Sequence, residues 1–353
     1  MKKKEIRIQS KVIGEGQPAF IIAEIGMSHN GSVGQARCFI DAAAEAGADA
    51  VKFQAHIAEA ETLRNAPTPP YFNEEPRFEY FERTAFDKSQ LVGLKGYAES
   101  KGLIFICSPF SIPAVDLLES VNVSVYKIPS GEITNLPLLE YVARKGKPII
   151  MSSGMSSFPE LEEAISLIRR FNQDIILMQC TSEYPCPYQN VGLNLLQELK
   201  QRFDLPVGLS DHTLTIYTAI AAVALGACVI EKHLTLSKRM YGPDAKFSLT
   251  PEEFRQMVEG IRAVETALSH PVDKGDIGRF EYMRRTFQKS IVSIADIPRG
   301  TEIREDMISI KKPGDGLHPR YFEEIIGKKV LRDIPRDSLI HKEDIKWPRG
   351  KGD

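Results

Sequence analysis

Eight short apolar runs of strand-forming composition recur roughly every 25 to 30 residues, and helical periodicity fills most of the gaps between them. The runs are Phe20 to Glu24, Ala50 to Phe53, Leu103 to Cys107, Ser124 to Ile128, Pro148 to Ser152, Ile175 to Gln179, Val207 to Leu209, and Cys228 to Lys232. Between them, segments such as Gln35 to Ala46, Ile216 to Leu225 and Pro251 to Leu268 carry Ala, Leu and charged residues at helical spacing. Gly47 and Gly226 follow two such segments, where a left-handed residue stops a helix. Strands apolar on both faces that alternate with helices build a parallel sheet, and eight units are the number that closes a (β/α)8 TIM barrel. The alternative is an open doubly wound sheet. It would want a glycine fingerprint after the first strand, which Gly26-Met27-Ser28-His29-Asn30-Gly31 does not supply.

After Arg279 the pattern changes. Asp296-Ile297-Pro298-Arg299 is echoed by Asp333-Ile334-Pro335-Arg336, and each copy is followed at the same offset by an isoleucine, Ile303 and Ile340. The repeat predicts a small β module with internal pseudo-symmetry. The reading is therefore a catalytic barrel over 1–279, a β-rich module over 280–353, and a polar, glycine-containing linker at about 269–285. A length of 353 residues fits a large domain plus a small one. With 45 Lys+Arg against 47 Asp+Glu the formal charge is −2, which lacks the basic surplus of a nucleic-acid or anionic-membrane binder. No run approaches the roughly 18 apolar residues of a membrane span. The charged start, Met1 to Arg7, has no apolar stretch behind it to serve as a secretory signal. Cys38, Cys107, Cys180, Cys186 and Cys228 are odd in number and form no CxxC, so they read as reduced, mostly buried thiols. The expectation is a cytoplasmic protein.

Reactive residues of a closed barrel come from the carboxyl ends of its strands. Here the runs end in Glu24, then Lys52 and Gln54, Ser108, Lys127 and Ser130, Ser152 and Ser153, Cys180 to Tyr184, Ser210-Asp211-His212, and Glu231-Lys232-His233. An ammonium at the end of an apolar run is costly unless it meets an anion. With Ser130, Ser152 and Ser210 on the same rim, Lys52 and Lys127 can cradle a phosphate and a carboxylate. The plainer alternative pairs each lysine with Glu24, Glu132 or Glu231. His212 and His233 end adjacent strands, so two neutral imidazoles can converge on one divalent ion such as Mn, Co or Zn. Taken singly, each reads as a hydrogen-bonded barrel residue. Glu24 faces both and suits an acid or base, a further ligand, or a lysine's partner. His29, His56, His270, His318 and His341 read as solvated or structural, and Asp244 as the cap of its turn. The loop Ala60 to Arg83, rich in proline and aromatic residues, reads as a lid or an oligomer contact.

Several runs, in order, carry a family resemblance: Ala23-Glu24-Ile25-Gly26, His29-Asn30-Gly31, Ala46-Gly47-Ala48-Asp49-Ala50-Val51-Lys52-Phe53-Gln54, Lys127-Ile128-Pro129-Ser130-Gly131-Glu132 and Ser152-Ser153-Gly154-Met155. They continue with Tyr184-Pro185-Cys186-Pro187, Gly208-Leu209-Ser210-Asp211-His212-Thr213, Glu231-Lys232-His233 and Gly242-Pro243-Asp244. On these runs the chain resembles the sialic acid synthase family, and its tail resembles the antifreeze-like domain that this family carries. The resemblance implies a metal-dependent condensation of phosphoenolpyruvate with the open-chain aldehyde of N-acetylmannosamine, giving a nine-carbon 2-keto sugar acid and phosphate for surface polysaccharide. It implies that His212 and His233 hold the ion, with Mn2+ first and Mg2+ or Co2+ as substitutes. Lys52, Lys127, Ser130, Ser152 and Ser210 would bind phosphoenolpyruvate with Gln54, Ser108 and Ser182 alongside, Glu24 would move protons, and Tyr184 and Asp244 would meet the sugar. It further implies a domain-swapped homodimer in which a basic residue of the partner's tail closes the site. The match here is Lys312 in Lys312-Pro313-Gly314, where the family more often carries Arg; Ser182 stands where many members have Asn.

Within the same chemistry, a diacetamido-trideoxyhexose is the alternative acceptor, giving legionaminic- or pseudaminic-type acids. A related condensation on a phosphorylated aldose predicts a second basic cluster, and none stands out beyond Lys52 and Lys127. A saccharide-binding surface protein would not need both histidines, both lysines and Glu24 at strand ends.

Overall fold

Parallel pairing runs without a break around the first part of the chain. In the computed structural model, which describes residues 4–68 and 75–348, a hairpin of β1 (Glu5–Ile8) and β2 (Lys11–Gly14) precedes eight strands. These are β3 (Phe20–Gly26), β4 (Ala50–Ala55), β5 (Ile104–Pro109), β6 (Tyr126–Ile128), β7 (Ile149–Ser152), β8 (Ile175–Cys180), β9 (Val207–Asp211) and β10 (Val229–His233). They pair in chain order, and β10 returns to β3 with Val229 opposite Phe20 and His233 opposite Glu24, closing the barrel. That closure excludes the open doubly wound sheet. Four strands, β5, β6, β7 and β10, start one or two residues later than their apolar runs; β7 begins at Ile149 because Pro148 has no N–H to give, and the Pro148 carbonyl instead accepts from Tyr126 N at 2.9 Å.

Strand periodicity sorts every second side chain to the interior. Phe20, Ile22, Ala50, Ile104, Ile106, Val125, Ile150, Ile176, Met178 and Val229 pack together inside the barrel. Their neighbours Ile21, Ala23, Val51, Phe53, Phe105, Ile149, Met151 and Leu177 pack outward against the helices. Helix starts are fixed by side chains: Ser32 Oγ accepts from Gln35 N before Val33–Glu45, and Thr250 and Glu253 form a reciprocal box before Pro251–Ser269. The β1–β2 hairpin was not foreseen. Ile6, Ile8 and Ile13 join the interior cluster, so the hairpin fills one end of the barrel and leaves the carboxyl end for chemistry. Its signal was present in the period-two alternation Glu5-Ile6-Arg7-Ile8.

The chain divides into two units, Met1–His270 and Pro271–Asp353, ahead of Arg279 and within the 269–285 segment read as linker. In the second unit β11 (Ser290–Ser293) pairs antiparallel with β12 (Ile308–Lys311). Its core is almost all isoleucine and includes Ile291, Ile297, Ile303, Ile334, Ile340 and Ile345. The two Asp-Ile-Pro-Arg copies cap each other: Arg299 N donates to Asp333 Oδ1 at 2.7 Å, and Arg336 N donates to Asp296 Oδ1 at 2.8 Å. Ile297 and Ile334 are bridged between them. Four of the five cysteines are buried, Cys38 is exposed, and all are free. Among the described residues no helix is long and apolar enough to cross a membrane.

Ile8 is fully buried. Ile8→Ala should therefore lower unfolding stability by about 2–5 kcal/mol, read by urea denaturation, while leaving strand content unchanged.

Candidate active site

The same alternation that makes the core apolar places the reactive groups one layer higher. Continuing Phe20, Ile22 inward gives Glu24; Ala50 leads to Lys52 and Gln54; Ile104 and Ile106 lead to Ser108. Likewise Val125 precedes Lys127, Ile150 precedes Ser152, Met178 precedes Cys180, and Val229 precedes Glu231 and His233. Side chains out of phase point elsewhere. Lys232, next to Glu231, is buried against Asp211 Oδ2 at 2.9 Å and Thr213 Oγ1 at 3.1 Å. Parity thus separates the structural lysine from the two lysines of the site.

Glu24, Lys52, Gln54, Lys127, Ser130, Ser152, Ser182, Tyr184, Ser210, His212, His233 and Asp244 line one cavity of about 290 Å³. Ser108 lies just beneath it, with its Oγ 3.4 Å from Lys52 Nζ. Lys312 belongs to the second unit, where its Nζ sits 5.1 Å above the Phe287 ring. The plainer lysine reading holds in this structure. Lys52 Nζ is 2.8 Å from Glu24 Oε2 and 3.6 Å from Glu231 Oε1, and Lys127 Nζ is 3.5 Å from Glu231 Oε1 and donates to Ser152 Oγ at 2.7 Å. Glu132 is not a lysine partner: Asn135 Nδ2 donates to it at 2.7 Å.

These buried charges shift one another. Burial raises the Glu24 carboxyl, opposed by Lys52 and reinforced by Glu231. At Glu231 burial is outweighed by Lys127 and Lys52, which hold it below the ordinary range. Burial is likewise outweighed at Lys52, by Glu231 and Glu24, so that lysine is held above its usual value. Lys127 has less support, and burial pushes it down. Two carboxyls pushed apart in acidity are the arrangement that lets one hold a proton while the other stays ionised. Glu231 Oε2 is buried and has no hydrogen-bond partner among the described residues.

The imidazoles of His212 and His233 lie 5.6 Å apart between ring centroids, and the Tyr184 ring packs 4.2 Å from His212. His212 Nδ1 faces the Thr181 carbonyl at 2.8 Å and donates to it, which leaves the Nε2 lone pair for a ligand. Burial and the neighbouring His212 hold His233 well below the usual imidazole range, hence neutral. At His212 burial is outweighed by Cys180, which holds the ring above its usual value. Cys180 itself stands at about 7, burial being overcome by His212, Ser130 and Lys127. Among the described residues no group of three or more His, Cys, Asp or Glu surrounds a common point. The donor set is therefore two imidazoles, which fits a borderline divalent ion whose other positions are filled by water or substrate. The orphaned Glu231 oxygen can accept from such water.

Two glycines shape the cavity. Gly26 has a φ of +55°, and a Cβ there would come 2.7 Å from Asp244 Oδ2 and 3.7 Å from Glu24 Oε1. At Gly154 a Cβ would stand 2.6 Å from Ser130 Oγ, where the Gly154 N–H donates to that oxygen at 3.1 Å. Asp244 thus approaches Glu24 over bare backbone, and its side chain makes no capping hydrogen bond to the turn that follows. Burial and Glu24 raise its carboxyl to about 6. Its loop is tied in place: Asn30 Nδ2 donates to the Tyr241 carbonyl at 3.3 Å, and Tyr241 Oη to Glu75 Oε1 at 3.1 Å.

Sequence reasoning missed part of this wall. Of the two readings, solvated or structural, burial leaves only the second for His29 and His56. His29 stacks 4.2 Å from Phe86, and burial pushes it down to about 3. His56 lines the cavity together with Arg77, Tyr80, Phe81 and Phe110. Part of the 60–83 segment, residues 69–74, lies outside the described residues. The helix Arg77–Thr84 within it supplies that aromatic wall. Its proline and aromatic content was the only local signal.

Fold and site together define a (β/α)8-barrel enzyme that works at the carboxyl ends of its strands. The chain belongs to the NeuB family, matching it over residues 39–273 and the SAF domain over residues 288–346. It is 40% identical over 342 residues to an uncharacterized protein of Methanocaldococcus jannaschii, covering 97% of this chain and 98% of that one. It is 38% identical to the N,N'-diacetyllegionaminic acid synthase of Campylobacter jejuni, covering 91% and 98%. Among solved structures, the N-acetylneuraminic acid synthetase of Leptospira borgpetersenii, in complex with citrate, is 33% identical with a TM-score of 0.71, covering 79% of this chain and 96% of that one. The chain is a synthase, as its named relatives are.

A carboxyl raised to about 6 holds its proton in the folded state through a pH window where the unfolded chain, near 3.8, has released it. Asp244 therefore lowers stability as pH rises from about 4 through about 6. Asp244→Asn should raise the melting temperature by a few degrees at pH 7.5 and leave it unchanged at pH 4, read by calorimetry.

Proposed function

We propose that the enzyme condenses phosphoenolpyruvate with the open-chain aldehyde of an N-acetylated hexosamine, N-acetylmannosamine being the first choice, to give a nine-carbon 2-keto sugar acid and phosphate. The observation that carries the reading is the single cavity in which two buried lysines, two imidazoles and a glutamate whose carboxyl is raised by burial meet. Lys52, Lys127 and the hydroxyls of Ser108, Ser130, Ser152, Ser182 and Ser210 bind the phosphate and carboxylate; for Lys127, the less well-paired ammonium, an arriving anion restores what burial takes away. Gln54, Tyr184 and Asp244 orient the acceptor.

The enol π pair at C3 forms the new bond to the aldehyde carbon, and the aldehyde oxygen takes up a proton. Water adds at the cationic C2 and gives its first proton to Glu24; cleavage of the C2–O bond then releases phosphate, which takes the remaining hydroxyl proton and leaves the ketone. His212 and His233 would hold a divalent ion, Mn2+ first with Mg2+ or Co2+ as substitutes, whose chemistry when bound is Lewis-acid polarisation of a carbonyl oxygen. The second acceptor, a diacetamido-trideoxyhexose, is favoured by the apolar wall of Met27, Phe81 and Phe110, which suits methyl groups, and by the activity named for the Campylobacter relative.

Met155 lines the cavity and is exposed, and Leu63, Tyr188, Leu214 and Tyr217 are exposed on other segments that follow barrel strands. Exposed apolar side chains on that side of a barrel suit a cover. The cover proposed is the C-terminal unit of a second copy, bringing the partner's Lys312 to the site in a homodimer. The same reading places the enzyme in the cytoplasm, where phosphoenolpyruvate is made.

Phosphate release from phosphoenolpyruvate should require Mn2+ and one of a panel of N-acetylated aldoses, stop with chelator, and fall by roughly 10²-fold or more in His212→Ala, on the order of losing one preorganised electrostatic group. Full activity in chelator would remove the metal from the reading, and no release with any acceptor would end it. Mixing His233→Ala with Lys312→Ala should recover part of the activity through hybrid dimers. If no activity returns, each site is built within one chain.

A further inference from the structure

His56 sits in a hydrogen-bonded row that ends on Glu24. Gln54 Nε2 donates to Glu24 Oε1 at 2.7 Å, so the Gln54 carbonyl oxygen faces the other way, toward His56 Nε2 at 2.9 Å. An amide oxygen only accepts, so that ring nitrogen carries a hydrogen. On the far side, His56 Nδ1 stands 2.6 Å from Glu61 Oε1, a separation that requires a proton between them. The Ile57 N–H donates to the other oxygen of Glu61 at 3.4 Å, which anchors the outer end. The ring is clamped between two aromatic faces, Phe81 at 3.8 Å with a 5° interplanar angle and Phe110 at 4.1 Å with 22°. The position and orientation of the imidazole are thus fixed before any substrate arrives.

A glutamine amide is close to symmetric in shape, and nothing in its own geometry tells its oxygen from its nitrogen. Against a carboxylate the difference is decisive, because a flipped amide would put a carbonyl oxygen on Glu24. We propose that His56, braced by Glu61, is a positioning residue that locks the Gln54 amide with its NH2 toward Glu24, and so holds that carboxylate in its working orientation. The inference rests on the reading of Glu24 and Gln54 as active-site groups. It adds to it a residue that touches none of the reacting atoms.

The test compares metal-loaded wild type with His56→Phe, which keeps the aromatic stack but deletes both ring nitrogens, and His56→Gln, whose side-chain NH2 can again donate to Gln54. Initial rates of phosphate release are read against phosphoenolpyruvate and the acceptor. The phenylalanine variant should lose roughly ten- to hundred-fold in kcat, as small misplacements of catalytic groups do, with KM for phosphoenolpyruvate and the melting temperature unchanged. The glutamine variant should recover most of that loss. In a Gln54→Leu background, His56→Phe should add no further loss, since the row is already cut. Unchanged kcat in His56→Phe, or additive losses in the double variant, would overturn the proposal. Should His56→Phe fail to fold, Glu61→Ala reads the row from its outer end: a fall in kcat alone supports the role and unchanged kcat defeats it. Ring nitrogen NMR shifts of wild type judge the geometry without any turnover. A protonated Nε2 is expected, and an unprotonated Nε2 refutes the row even if the synthase reading stands; absent phosphate release with Nε2 protonated instead faults that reading.

Discussion

Two ammonium and two carboxyl groups share the dry upper interior of the barrel, and the rest of the site is arranged around their balance. Lys52, Lys127, Glu24 and Glu231 are each at most 5% exposed. An isolated charge at that depth would neutralise itself by shifting its acidity, and removing one partner of such a pair typically destabilises by about 3–5 kcal/mol. The quartet is tolerated because it sums to no net charge, with Ser108, Ser152 and Ser210 filling hydrogen-bonding positions around it. It is nevertheless unevenly shared. Lys127 is held below its usual value and Glu24 above, so an arriving anion is favoured at one side and Glu24 takes up a proton more readily than an ordinary carboxylate at the other.

Closure of the sheet makes this balance possible. The β1–β2 hairpin seals one end with Ile6, Ile8 and Ile13, while helices wrap the outside, so the polar layer meets solvent only at the carboxyl ends. There the walls are built from different parts of the chain. The helix Arg77–Thr84 contributes aromatic faces, and the turn at Asp244 is tied to the loop after β3 through Asn30. Gly26 and Gly154 leave room where a side chain would press Asp244 away from Glu24, or the serines away from one another. The second unit solves its own packing problem by symmetry, each Asp-Ile-Pro-Arg copy capping the other.

Much of this was legible in the chain. Eight apolar runs separated by helical segments are a pattern with period and count, and both depend on local residue order, so the barrel followed from them. Membership of the NeuB family was legible in runs such as Lys127-Ile128-Pro129-Ser130-Gly131-Glu132. Strand ends identified Glu24, Lys52, Lys127, His212 and His233, because a polar residue closing a buried strand has to sit at a rim or find a partner. Their gathering into one cavity needed the closed sheet, and their roles belong to the proposal.

What escaped were facts about pairs distant in sequence. His56 was set aside although Gln54 and Glu61, its hydrogen-bond partners, are close in sequence, because the rings of Phe81 and Phe110 that clamp it come from afar and local order does not show which way its side chain turns. Glu231 was read only as a lysine's partner, although it faces both lysines at once. The order of residues by itself determined which segments become strands, which side chains alternate inward, and where the pseudo-symmetric tail begins. Tertiary structure alone decided which carboxyl is raised, which lysine is left short of charge, and which histidine faces an amide, because those outcomes depend on burial and on separations of a few ångströms between side chains whose directions local order does not show.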